Sequence, residues 1–250
     1  MPEALVRLGR MGYDGVELWQ QYLEQADLSR LAGLLAQNGL AALQLCPYFD
    51  LVTSDRTVED SVRLNERFVE MARQLQGDRI RVFTGPVDEK DATPEQYRRC
   101  VRGLRRLCDH GGAQGVDYVL EVQHGVMQTS AGILRLIGDV DRPNVLVNLQ
   151  LPLRGESWEE SVSRLGRHVQ HLHAHNWSTR EGDFKALTYL GQGVMDFEAF
   201  IRALVGNGFD GVISIEHPTR PDTDDPLVVA GKEAEYLKGL LQRMGGDGHG

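Results

Sequence analysis

Apolar residues recur along this chain in two alternating rhythms. In some stretches they return every three or four positions, the spacing of one helix face. In others they form short runs rich in Val, Ile and Leu, as in a buried strand. The helical rhythm covers 2–11, 27–39, 57–77, 93–112, 129–140, 158–169, 196–209 and 226–243. The strand rhythm covers 15–19, 41–49, 79–85, 117–125, 144–152, 170–177 and 211–218. Punctuation agrees with these bounds. Gly39 stops the second helix, and Thr57 and Asp196 stand where a capping side chain belongs. Thr93 is followed by Pro94 in the first turn and by Gln96 at the capping-box position.

Seven strands, each followed by a helix, predict a parallel sheet covered on both faces. For 250 residues the closed form of that pattern is an α/β fold of the TIM (β/α)8 barrel type. An open doubly wound sheet is the competitor, but no strand is followed by its glycine fingerprint. The chain opens in a helix where a barrel opens in a strand, so the expected barrel lacks its first β-strand. Unless something covers them, the sheet edges left there invite association, and a homo-oligomer is one outcome. One domain over 1–244 and a flexible tail over 245–250 complete the expected organisation.

Composition excludes more than it identifies. Apolar content of 41% and charged content of 25% suit a globular chain with a core. No apolar run approaches the roughly 18 residues that cross a membrane, and no signal segment opens the sequence, so a cytoplasmic protein without a membrane partner is expected. A net charge of -9 argues against a nucleic-acid partner, which requires a basic footprint. The three cysteines, Cys46, Cys100 and Cys108, are odd in number and lack paired spacing, which argues against disulfides or a zinc knuckle.

The chemistry gathers late in the chain. In a barrel, function sits at the carboxyl ends of the strands. The last four strands place Glu121 with Gln123 and His124, then Asn148 and Gln150, then His171, His173 and His175, then Glu216 and His217 at or near those ends. Charged groups at the ends of apolar strands are costly unless paired or metal-bound. Two carboxylates, an imidazole and an amide oxygen converging there suit a divalent ion: Mg or Mn by their oxygens, Zn or Co by the imidazole. Around them, Trp19, Tyr48, Phe49 and Trp177 offer aromatic faces for a sugar. Glu17 offers a carboxylate for a hydroxyl, and Lys185 and Arg220 offer charge for an anionic group. The turn Leu190–Gly193 before Asp196 is a weak anion-binding candidate.

The stretches GYDGVEL at 12–18, LEVQHG at 120–125, HLHAHN at 171–176, LGQGVMDF at 190–197 and VISIEHP at 212–218 resemble the xylose-isomerase-like sugar isomerase and epimerase family. The resemblance implies a divalent metal held by Glu, Asp, His and Glu from four successive strands. Glu121, His173 and Glu216 fall on the first, third and fourth ligands. The second falls on Gln150, with Asn148 as the alternative, and the His that usually follows it falls on Leu153. The resemblance further implies proton transfer next to a carbonyl, with Glu121 and Glu216 as catalytic groups. Glu17, Trp19, His124, His175, Trp177, Lys185 and Arg220 would contact a small carbohydrate or keto substrate. An isomerase or epimerase of a ketose, keto-sugar or sugar phosphate is the first expectation. A lyase or dehydratase on an inosose, dehydroshikimate or 3-keto-glycoside is the second. A non-catalytic sugar-binding barrel is the rival from another class, favoured by the missing strand and by Gln150.

Overall fold

A computed structural model describes residues 2–179, 186–216, 222–223 and 225–246. Its elements follow the alternation of the sequence. Helix α1 (Pro2–Met11) precedes β1 (Gly15–Trp19) and the single turn α2 (Gln20–Leu23). Then come α3 (Leu28–Gln37), β2 (Ala41–Cys46), α4 (Asp55–Leu75), β3 (Arg79–Val82), α5 (Pro94–Gly112), β4 (Asp117–Glu121), α6 (Ser130–Val140) and β5 (Val145–Gln150). The chain continues with α7 (Trp158–Leu165), β6 (Val169–Ala174), the two-residue strands β7 (Asn176–Trp177) and β8 (Leu187–Thr188), α8 (Phe197–Gly206), β9 (Val212–Ile215) and α9 (Pro226–Gly246).

Seven of these strands form one curled parallel sheet in the order β1-β2-β3-β4-β5-β6-β9, as the count of strand-like runs predicts. The strands carry Val, Ile and Leu on both faces because the helices cover the outside and the curled sheet encloses the inside. Leu45, Ile80, Val82, Leu120, Val147 and Leu149 are all fully buried. Helix entries are satisfied as the sequence indicates at Thr93 and Asp196, whose side chains accept from Gln96 N and Ala199 N. The start of α4 differs. Ser54, not Thr57, is its cap, and Thr57 completes the reciprocal box three residues on, at 3.1 Å in each direction. The strands are shorter than their apolar runs. The runs continue into loops at the carboxyl ends, where Val122 is buried without joining the sheet, as are Val126 and Met127 just beyond the run. Periodicity reports burial, and there burial outlasts pairing. The run over 170–177 breaks at His175. Beyond it, β7 turns away to pair antiparallel with β8.

The sheet does not close between its ends. Among the described residues, β1 pairs only with β2 and β9 only with β6. Between them lies a cavity of about 660 Å³, lined by the two strands and by side chains such as Leu8, Ile201, Val205 and Leu237 from α1, α8 and α9. Helix α1 packs on α9 across this opening. Tyr13 donates to Ala230 O at 2.9 Å and Lys238 to Met11 O at 2.6 Å, so hydrogen bonds between the two ends of the chain brace the opening. No described helix is long and apolar enough to cross a membrane.

Candidate metal centre

The parallel register sets the site. Gln150 lies beside His173 and Asn148 beside His171 across β5 and β6, and Glu121 lies beside Asn148 across β4 and β5. Strand side chains alternate, so His171 and His173 on β6 face the barrel interior one above the other, and His175 follows just past the strand's end. All three are buried, as are Glu121, Asn148 and Gln150.

His173 is the hub. Its Nδ1 lies 3.3 Å from Glu216 Oε2 and 4.0 Å from Glu121 Oε1. Its Nε2 lies 3.1 Å from Glu17 Oε1 and 2.9 Å from Asn148 Nδ2. Burial alone would lower its pKa, but the carboxylates of Glu17 and Glu216 raise it well above 6.5. Glu17 responds in the opposite direction. Burial would raise it, yet the two imidazoles hold it well below 4.5. Glu121 differs again: burial, with help from Glu216 and Glu17, raises it despite His173 and Arg81.

The residues fit a divalent cation. Ligand atoms of Glu121, His173 and Glu216 lie within 4.8 Å of one another. Gln150 donates from Nε2 to Glu216 Oε2 at 3.3 Å, while its Oε1 is buried without a hydrogen-bond partner. A buried carbonyl oxygen without a hydrogen-bond partner, on a side chain that touches Glu216, offers a neutral ligand that such a cation could use. The amide is neutral where the family resemblance implies a carboxylate, so the set would offer a cation one charge fewer.

The remaining expected residues divide. Trp19 and Tyr48 are exposed at the mouth, and His124 stands edge-on to Phe83 there. His175 Nε2 lies 3.4 Å from Glu216 Oε2. Three expectations change. Phe49 is 3% exposed and belongs to the core. Trp177 is 5% exposed, packed behind His175 on β7, and presents no open face. Glu17 is not held out for a hydroxyl. Its Oε1 meets His171 Nε2 at 2.9 Å and His173 Nε2, and its Oε2 accepts from Gln44 Nε2 at 3.1 Å. A carboxylate this deep is paired inside the protein because desolvation would otherwise neutralise it. Lys185, Arg220 and His217 lie outside the described residues.

One residue escaped the sequence analysis. Arg81, on β3, is 1% exposed. It donates to Glu121 Oε2 at 3.2 Å and to Pro47 O at 3.3 Å. Its guanidinium lies 4.1 Å from the Phe83 ring centre and 5.0 Å from that of Tyr48. The signal was present: a charge within the apolar run RIRVFTG is as costly as one at Glu121 and demands a partner for the same reason. Past Glu121 the backbone turns sharply, with Gln123 at φ 91°, a left-handed conformation that is strained for a side chain other than glycine.

Comparison with known proteins agrees with the fold. A family model described as xylose isomerase-like TIM barrel matches residues 5–240. A 3-dehydroshikimate dehydratase of Bacillus anthracis is 24% identical over 180 residues, covering 68% of this chain and only 64% of that protein. An L-ribulose 3-epimerase of Methylomonas sp. (strain DH-1) is 24% identical over 270 residues, covering 94% of this chain and 90% of that protein. Among solved structures, the IOLI protein with zinc superposes with a TM-score of 0.83 at 20% identity, covering 96% of this chain and 92% of that one.

Proposed function

We propose, from the premise that this chain belongs to the xylose isomerase-like TIM barrel family, that it is a divalent-metal-dependent enzyme moving a proton next to the carbonyl of a ketose, keto-sugar or sugar phosphate. The observation that carries this reading is the convergence of two carboxylates, Glu121 and Glu216, on one imidazole, His173. Glu121, Gln150, His173 and Glu216 would hold the metal. A bound divalent cation supplies polarisation of the carbonyl and neutralisation of the charge that develops on its oxygen.

The protein's own groups do the rest. Glu121 at the end of β4 and Glu216 just past β9 approach His173 Nδ1 from different parts of the sheet, and each would take or return a proton on its own side of the substrate. Burial raises the proton affinity of Glu121 while Arg81 fixes its Oε2, leaving Oε1 turned towards His173. An epimerase needs both carboxylates, one to remove the proton and one to return it on the opposite face. Trp19 and Tyr48 at the mouth offer rings to a sugar's apolar face.

A dehydratase on a cyclic keto substrate is the second reading. It needs one carboxylate as base and a separate acid for the departing hydroxyl. His175, 3.4 Å from Glu216, would be the candidate for that acid. The relationship to a 3-dehydroshikimate dehydratase favours the same reading.

The test is hydrogen exchange with deuterated water over a panel of ketoses, inososes and dehydroshikimate, with Mn, Mg, Co or Zn supplied. Deuterium should enter the carbon beside the carbonyl of at least one substrate. Glu121→Gln and Glu216→Gln should each slow the exchange by about 10²–10⁴-fold, the usual worth of a placed acid or base. Stereochemical inversion without loss of water marks the epimerase, and loss of water marks the dehydratase. No exchange with any substrate and metal would favour the non-catalytic sugar-binding barrel.

A further inference from the structure

We propose that Glu17, His171 and His173 form a second divalent-cation site, deeper in the barrel than the Glu121–His173–Glu216 cluster and suited to zinc or cobalt. Three ligand atoms converge there. Glu17 Oε1 lies 2.9 Å from His171 Nε2 and 3.1 Å from His173 Nε2, and all three atoms lie within 4.8 Å of one another. Zinc bonds of about 2.0–2.1 Å in a tetrahedron set neighbouring ligand atoms roughly 3.3 Å apart, so small side-chain movements would admit the ion. Two imidazoles and one carboxylate form a ligand set in which zinc keeps a fourth position open.

The surroundings add a second, independent indication. Gln44 is fully buried and directs its amide at the cluster, giving Nε2 to Glu17 Oε2 at 3.1 Å, while its Oε1 has no hydrogen-bond partner. An amide that orients a ligating carboxylate is the usual support behind a metal ligand. Ser214 Oγ, on the neighbouring strand β9, lies 3.1 Å from His171 Nε2. Nothing in the carbonyl chemistry of the mouth requires His171, which no described contact connects to Glu121 or Glu216.

The two clusters share His173 through opposite ring nitrogens, Nδ1 towards Glu216 and Nε2 towards Glu17. Filling both sites requires that ring to give up both protons and bridge them. The deep site needs neither Gln150 nor Glu216, so it stands even where the proposed function fails.

Cobalt titration of the chelator-stripped full chain tests this. Tetrahedral Co(II) gives intense visible absorption, which reports the geometry, and metal analysis gives the stoichiometry. The intense band should form in the wild type, survive in Glu216→Gln, and vanish with loss of one equivalent in Glu17→Gln and His171→Asn. Circular dichroism confirms that each variant is folded. Zinc-edge anomalous diffraction from wild-type crystals provides a readout that needs no variant, with a peak expected between the three side chains. No band in the wild type, a band lost in Glu216→Gln but retained in His171→Asn, or no anomalous peak between these residues would overturn the proposal.

Discussion

Glu17 and His173 show how burial shapes single residues. Each would be driven towards its neutral form if alone, and each is held charged by the other. Their contributions to stability then have opposite pH limits. The carboxyl of Glu17 sits well below its ordinary 4.5, so its stabilisation is present above 4.5 and lost as the pH falls through the depressed folded value. The imidazole of His173 sits well above 6.5, so its stabilisation is complete below 6.5 and lost as the pH rises through the raised folded value. Metal-free protein should therefore melt highest between about 4.5 and 6.5, as far as this pair decides, with an alkaline decline that Glu17→Gln flattens. Thermal melts of chelator-treated protein across pH measure it. An alkaline decline unchanged in the variant would show that the pair is not coupled as drawn. At this scale the sequence was partly legible. Glu121, His173 and Glu216 stood out because charge at an apolar strand end needs a reason. Arg81 carried the same signal inside a strand, but its partner lies 40 residues away and only the sheet brings them together. Glu17 was visible as polar, but whether it faced substrate or histidine depended on β1 and β6 approaching across the barrel interior, which no local pattern encodes.

The elements were more legible than the residues. Seven strand-like runs became the seven strands of the sheet because Val, Ile and Leu buried on both faces leave a plain trace. Boundaries were missed in a consistent direction: β3, β4 and β5 end sooner than their apolar runs, since the loops at the mouth are buried too. The β7–β8 hairpin was hidden because each strand has only two residues, too few for a period to register. The two strands beside the opening differ physically from the rest. Residues of β9 are all partly exposed, and most of β1 is at least partly so, whereas β4 and β5 are almost wholly buried. Strands with a partner on one side only open more readily than those paired on both. Amide hydrogen exchange should thus be fastest, among the strands of the main sheet, in Gly15–Trp19 and Val212–Ile215 and slowest in Asp117–Glu121 and Val145–Gln150. Equal protection across all seven strands would mean that the opening between β1 and β9 is filled in solution.

In the whole molecule, the barrel serves to hold like charges together. Glu17, Glu121 and Glu216 are collected from β1, β4 and the end of β9 around three imidazoles and a single buried guanidinium from β3. Such a gathering is unfavourable without compensating positive charge, and Arg81 and His173 supply only part of it. A cation at the mouth would supply more, and Gln150 in place of a carboxylate would limit how tightly it is held. The sequence pointed to this arrangement because the βα alternation fixes which strand ends meet. It left open whether an amide at position 150 still takes part, since that depends on where a single unpaired oxygen points. Manganese, which prefers oxygen ligands, addresses the mouth cluster directly. The decisive measurement is the free-ion Mn²⁺ resonance signal during titration of the metal-stripped protein, its Glu121→Gln/Glu216→Gln double variant and Gln150→Asp. Saturable binding in the wild type, abolished in the double variant and tighter by at least about tenfold in Gln150→Asp, is the predicted result. Manganese that binds the double variant as well as the wild type, or binds neither, would contradict a metal-assisted site at Glu121, His173 and Glu216.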